Sequence, residues 1–105
     1  MHIALDLDGT LAHYDGWKGI EHIGEPVPAM LEKVRDWVEK GYVITIFTAR
    51  VSVPEEAPDA NHHISMWLRK HDLPAFEVTA IKHKKFTMFI DDRAHGVIKN
   101  EGTFV

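Results

Sequence analysis

The sequence predicts a small α/β protein built on a mostly parallel sheet, and three observations carry that prediction. Short apolar, partly β-branched runs recur at Ile3–Leu7, Tyr42–Phe47 and Phe86–Ile90. Two of them, YVITIF and FTMFI, are nearly unbroken rather than alternating, the pattern of strands covered on both faces. The stretches between the runs are long enough for one helix each and carry apolar residues at helical spacing. Strand–helix–strand units of this size imply parallel strands joined by right-handed crossovers. In such sheets ligands bind beyond the carboxyl ends of the strands, near a switch in strand order.

Each element has its own justification. Ile3–Leu7 reads as a buried strand whose end carries Asp6 and Asp8, expected to point the same way because a strand alternates its faces. Gly9 and Thr10 follow, allowing a sharp turn and a close backbone approach. Residues 13–26, HYDGWKGIEHIGEP, form the one long irregular segment, and residues 11–26 leave room only for a flap. In VPAMLEKVRDWVEKG, Met30, Leu31, Val34, Trp37 and Val38 recur at helical spacing and Gly41 supplies a stop. The run Tyr42–Phe47 is the second strand. In DANHHISMWLRKHDLP, Ile64, Trp67 and Leu68 share a stripe that Pro74 ends. FEVTAI reads as a short further strand before Phe86–Ile90, RAHGVIKN as a terminal helical turn, and TFV as a short edge strand.

Composition narrows the function classes. A chain of 105 residues makes one small domain, residues 1–105, with a single core. Its formal net charge of −4 argues against a sequence-independent nucleic-acid surface. There is no cysteine, hence no thiolate nucleophile or thiolate metal site. No apolar run approaches the ~18 residues of a membrane span, and no charged n-region precedes an apolar h-region. The expectation is a cytoplasmic protein without a membrane partner.

The chemistry gathers where strands end. The first run ends in Asp6 and Asp8, the second in FTAR with Thr48 at the tip and Arg50 beyond, and the last in Asp91 and Asp92. The basic cluster IKHKK lies shortly before the last strand. If these tips converge, four carboxylates meet a hydroxyl and one or more ammonium groups. Like charges at ~4 Å repel by about 4 kcal/mol at an effective dielectric of ~20, so four cannot gather unneutralised. Hard oxygen ligands without cysteine suit Mg2+, which shares its shell with waters and a substrate phosphate.

DLDGTL, then ITIFT, then a lysine, then FIDD resembles the four-motif pattern of the haloacid dehalogenase-like (HAD) phosphohydrolase superfamily, from Ile3 to about Gly96. The resemblance implies a Rossmann-like three-layer sandwich without a cap domain, binding Mg2+. It implies that Asp6 is a nucleophile forming an aspartyl-phosphate, and that Asp8 is the acid/base whose backbone carbonyl ligates the metal. Thr48 would hydrogen-bond the transferring phosphoryl group beside Gly9 and Thr10. Asp91 and Asp92 would complete a metal site formed with Asp6 and Asp8. Lys82 has about the right spacing for the site lysine, with Lys84 and Lys85 as competitors. Which of Asp91 and Asp92 touches the metal is open.

Blander readings stand beside these. Arg50 fits a structural or rim cation as well as a substrate contact, and Arg93 a partner for a site acid or the start of a helix. The KHKK run reads equally as a solvated face. Of the eight histidines, His62 and His63 are helical neighbours ~100° apart and chelate poorly, so they read as surface; His13, His22 and His95 are candidates for the rim. Trp37 and Trp67 read as core, whereas Tyr14 and Trp17 either cover a substrate or anchor their loop. The leading function is an Mg2+-dependent phosphomonoesterase acting on a small phosphorylated molecule or an exposed phosphate of a larger one, nucleic acid entering only as a substrate end. The alternatives are a non-catalytic phosphate- or metal-binding module and a phosphotransferase to an acceptor other than water. An open, capless site also suits closure by a second copy of the chain.

Overall fold

The computed structural model describes all 105 residues, Met1 to Val105. Four strands, β1 (His2–Leu5), β2 (Val43–Phe47), β3 (Glu77–Thr79) and β4 (Met88–Ile90), form one sheet in the order β3-β2-β1-β4. All three pairings are parallel, with Ile3 opposite Ile44 and Met88, and Leu5 opposite Ile46 and Ile90. Two helices connect them: α1 (Pro28–Glu39) and α2 (Ala57–Lys70). A single 3-10 turn, Ala49–Val51, follows β2.

The chain steps from β1 to β2 to β3 in one direction, so right-handed crossovers put both helices on the same face. The core agrees with that placement. Ile3, Leu5 and Leu7 from β1 and its extension join Ile44 and Ile46 of β2, Val34 of α1, and Ile64, Trp67 and Leu68 of α2 in one buried cluster. Met30, Leu31, Trp37 and Val38 pack against it half-buried, as their helical spacing requires.

The opposite face is covered differently. Its in-register residues include Ala4, Thr45 and Phe89, and His2 bonds across it to the Thr45 hydroxyl at 2.8 Å. The β3–β4 connection, residues 80–87, contains no helix, since eight residues are too few for a helical crossover. It lays Phe86 against His2, Phe47 and Phe89 instead, with ring centroids 5.1–6.1 Å apart. Thus unbroken apolar runs misrepresent the covering: one face carries helices, the other a patch of aromatic side chains.

The C-terminal end departs from expectation. RAHGVIKN forms no helical turn; Val97 pairs antiparallel with Phe104, and Ile98 N–H donates to Thr103 O at 2.8 Å. Asn100 and Gly102 take φ of 67° and 73°, the left-handed geometry that a tight reversal needs and a helix forbids. TFV therefore contributes one bridge to a small hairpin rather than an edge strand of the sheet. No helix is long and apolar enough to cross a membrane.

Candidate active site

Strand order explains where the acids meet. The chain leaves β1 in one direction for β2 and later returns past it to β4, so β1 and β4 flank the reversal, where a crevice opens. Asp6 N–H donates to Ile90 O at 2.9 Å, locking the two strand ends together. Asp6, Asp91 and Asp92 consequently lie side by side, each offering an oxygen within 4.8 Å of the others.

Thr10 ties this group. Its hydroxyl lies 3.1 Å from Asp92 Oδ1 and 3.3 Å from Asp6 Oδ2, and accepts from Asp92 N–H at 3.0 Å. A hydroxyl has one proton, so its donation goes to one carboxylate at a time. Gly9 presses on the same group with φ of +87°; a Cβ there would stand 2.6 Å from Asp92 Oδ2. Gly9→Ala is therefore expected to cost about 1–3 kcal/mol from strain alone and to displace Asp92. A urea midpoint and a divalent-cation titration would read the two effects separately.

Burial pushes the Asp6 carboxyl up to about 7, and its contact with Asp92 and the charges of Asp91 and Asp92 add to that. Asp92 is held below the ordinary carboxylate range, first by the hydrogen bond from Asp6. Physically the two share a proton, carried on the more buried member.

Asp8 lines the same cavity as Asp6 but its carboxylate lies outside the group formed by Asp6, Asp91 and Asp92. β1 ends at Leu5, and Leu7 O accepts from the N–H groups of Thr10, Leu11 and Ala12 at 2.8–3.2 Å, so the backbone is already turning. The Asp8 carboxylate instead meets Arg50 in a forked pair, Nε to Oδ2 at 2.7 Å and Nη2 to Oδ1 at 2.9 Å. The Asp8 side chain is thereby outside the acidic group, while the metal role expected of it runs through its backbone carbonyl.

Arg50 is the least expected feature. Its side chain is only 4% exposed, and its remaining N–H groups donate to Ile20 O at 3.1 Å and His22 O at 2.8 Å. One guanidinium therefore fastens the flap to the turn after β1. The flap is pinched at its base by His13 N–H to Glu25 O and Val27 N–H to Leu11 O, both 2.8 Å. Trp67 Nε1 holds it from α2 through Gly24 O at 2.8 Å. An arginine between Ala49 and Val51 at a strand tip gives little hint of burial; the Asp8 fork and two backbone carbonyls of the flap, a meeting invisible as sequence, make it possible.

A cavity of about 660 Å3 opens over these groups, lined by Asp6, Asp8, Asp91 and Asp92 and walled by Thr48, Arg50, Arg93, Tyr14, Trp17 and Glu56 among others. Thr48 is 4% exposed and caps the 3-10 turn, its Oγ1 accepting from Arg50 N–H at 3.2 Å. Lys82 is not in the lining; its ammonium lies 5.1 Å from the Phe89 ring, on the aromatic face. Lys85 is paired with Glu77 at 3.2 Å. The chain borders the cavity at Ala80 and has left it two residues later. The lining cation without an ion pair is Arg93, whose backbone N–H donates to Asp91 Oδ1 at 2.8 Å. His62 and His63 join no metal-binding group.

No family model matches the chain, and comparison with curated proteins gives no match. Among solved structures, a conserved protein from Bacteroides thetaiotaomicron is similar in fold, with a TM-score of 0.60 and 25% identity. The likeness covers 90% of this chain and 77% of that one.

Proposed function

We propose that this protein is an Mg2+-dependent phosphomonoesterase using Asp6 as nucleophile, in the manner of the HAD-like enzymes that its motifs resemble. The observation that carries the reading is the convergence of Asp6, Asp91 and Asp92 within 4.8 Å at the carboxyl edge of a parallel sheet. The upward shift of Asp6 supports a cation there, because protonation is how crowded carboxylates relieve their repulsion without one. The donor set is all hard oxygen, which fits Mg2+. The strand order supports a Rossmann-like topology, its third layer reduced to the crossover of residues 80–87.

Asp6, Asp91 and Asp92 would hold the ion, which when bound supplies the charge that lets a phosphate dianion approach them. The ionised Asp6 oxygen attacks phosphorus while the bond to the leaving oxygen breaks. Asp8 gives that oxygen a proton, then takes one from the water that cleaves the acyl-phosphate and frees Asp6. Each Asp8 oxygen accepts one bond from Arg50 and keeps a second lone pair, so a proton on Asp8 would compete with the guanidinium's charge without displacing its bonds. Arg93, in the lining and without an ion pair, is the side chain available for the phosphoryl oxygens in place of Lys82.

The test is release of inorganic phosphate from a panel of phosphomonoesters, with Mg2+ and with excess EDTA. At least a hundredfold dependence on Mg2+ is expected. A second reading, a non-catalytic metal- and phosphate-binding module, is favoured by the full engagement of Asp8 by Arg50 and the distance of Lys82 from the cavity. Binding of Mg2+ and phosphate without turnover of any panel member would decide for it. Product analysis with added alcohols separates hydrolysis from transfer to another acceptor.

A further inference from the structure

We infer that Trp17 is a stacking shelf for a planar ring carried by the phosphorylated substrate, and that the cavity takes a nucleoside monophosphate. The inference rests on the phosphomonoesterase reading for its phosphate, and on different residues for the rest.

Three tryptophans occur, and two belong to the core: Trp67 is 7% exposed and Trp37 is half-buried against the cluster. Trp17 is 56% exposed although it lines the cavity. An indole left in water at the wall of a site has not been placed there by core packing. Nor is it loose: the Arg50 guanidinium carbon lies 4.8 Å from its ring centroid, a cation–π contact that holds one face. With the guanidinium over one face, the opposite face is the one left for a ligand. The guanidinium that orients Trp17 is the one that grips Asp8, so the shelf has a set position relative to the acids.

Size and charge then select the ligand. A cavity of about 660 Å3 is in the range that holds a whole organic ligand rather than a bare phosphate. Tyr14, 45% exposed, stands on the same wall and adds a second aromatic surface. Ser52, whose hydroxyl donates to Ala49 O and so offers only its lone pairs, and the Glu56 carboxylate, both in the lining, can accept from sugar hydroxyls, and Glu56 disfavours a second phosphate there. Ring, sugar and one phosphate together describe a nucleoside monophosphate.

The experiment follows the three indole N–H signals by NMR, in metal-free protein and with Mg2+, on addition of adenosine 5′-monophosphate, phenyl phosphate or glycerol 2-phosphate. The signal missing from Trp17→Phe identifies Trp17. A saturable shift of that signal with adenosine 5′-monophosphate and none with glycerol 2-phosphate is expected. Trp17→Ala should weaken nucleotide binding about tenfold, the scale of one base on one aromatic side chain, and Trp17→Phe should restore most of it. Phenyl phosphate binding as tightly as the nucleotide assigns the shelf to aryl phosphates and overturns the nucleoside assignment. Equal binding of glycerol 2-phosphate, or unchanged nucleotide binding in Trp17→Ala, overturns the shelf itself. Shelf binding without phosphate release removes the phosphatase reading alone; release at equal kcat/KM from nucleotide and glycerol 2-phosphate removes the shelf alone.

Discussion

Asp6→Asn is expected to lower phosphate release by at least about 10³-fold, the scale of losing a nucleophile, while making the metal-free protein more stable at pH 8. The first half follows from the role proposed for the carboxylate. The second follows from its environment and has the opposite sign. An Asp6 carboxyl raised from an ordinary 3.8 to about 7 binds its proton more tightly in the folded chain than in the unfolded one. Stability therefore falls as pH rises from about 4 through 7, and above 7 the folded state carries the whole penalty of an ionised group that burial and two neighbouring acids oppose. Discounted for the water that reaches a half-buried carboxylate, that penalty is about 1–2 kcal/mol, or several degrees in Tm for a domain of this size. The amide cannot ionise, so thermal melts of Asp6→Asn in EDTA should lose most of the slope between pH 5 and 8. Mg2+ added to the native protein should stabilise it more at pH 8 than at pH 5, since a cation favours the ionised form. His2, held below the ordinary histidine range chiefly by burial, contributes an opposite slope in both proteins. The difference between them therefore reports Asp6, and a native slope in EDTA equal to that of Asp6→Asn would remove Asp6 from the raised state argued for it.

The parts of this site legible in the sequence are those that depend on strand ends. Asp6, Thr48 and Asp91 each directly follow an apolar strand residue, with Asp92 next in line, and a parallel sheet brings such positions to one edge whatever the details of packing. The two helices were equally legible, because Val34, Trp37, Ile64 and Leu68 repeat at a spacing only a helix can bury. What the one-dimensional pattern hid depends on where a chain stops being regular. Alternation alone sets Asp8 beside Asp6; Leu7 O closes a turn there, and Asp8, still in the cavity lining, pairs with Arg50 instead of joining the acidic group. Spacing before Asp91 points to Lys82, but the short crossover leaves the cavity after Ala80 and carries the ammonium to 5.1 Å from the Phe89 ring. The covering of the second sheet face failed for a related reason. Aromatic residues such as Phe86 and Phe89 look the same in sequence whether a helix or their own neighbours cover them.

Arg50→Ala is expected to cost about 3–5 kcal/mol, the scale of breaking a buried ion pair by removing one partner. Its guanidinium is almost wholly enclosed and satisfies four acceptors: both oxygens of Asp8 and the carbonyls of Ile20 and His22. Removing it leaves a partly buried anion without its partner, and loosens a flap then held by the Gly24 carbonyl on Trp67 and by Ile23 against the core. Lysine cannot replace it, because one ammonium cannot present the fork that grips two carboxylate oxygens while reaching two carbonyls. The decisive comparison is a double-mutant cycle. If the loss comes chiefly from stranding Asp8, then Asp8→Asn combined with Arg50→Ala should be less destabilised than the two single losses added, by about 1–3 kcal/mol. Urea unfolding of the four proteins measures this directly. Strict additivity would mean that Arg50 stabilises the flap through its carbonyl bonds alone, and that the charge on Asp8 is carried by solvent. Either result bears on the proposed mechanism, since the guanidinium that holds the Asp8 carboxylate also packs on Trp17, so the proposed acid and the flap share one anchoring side chain.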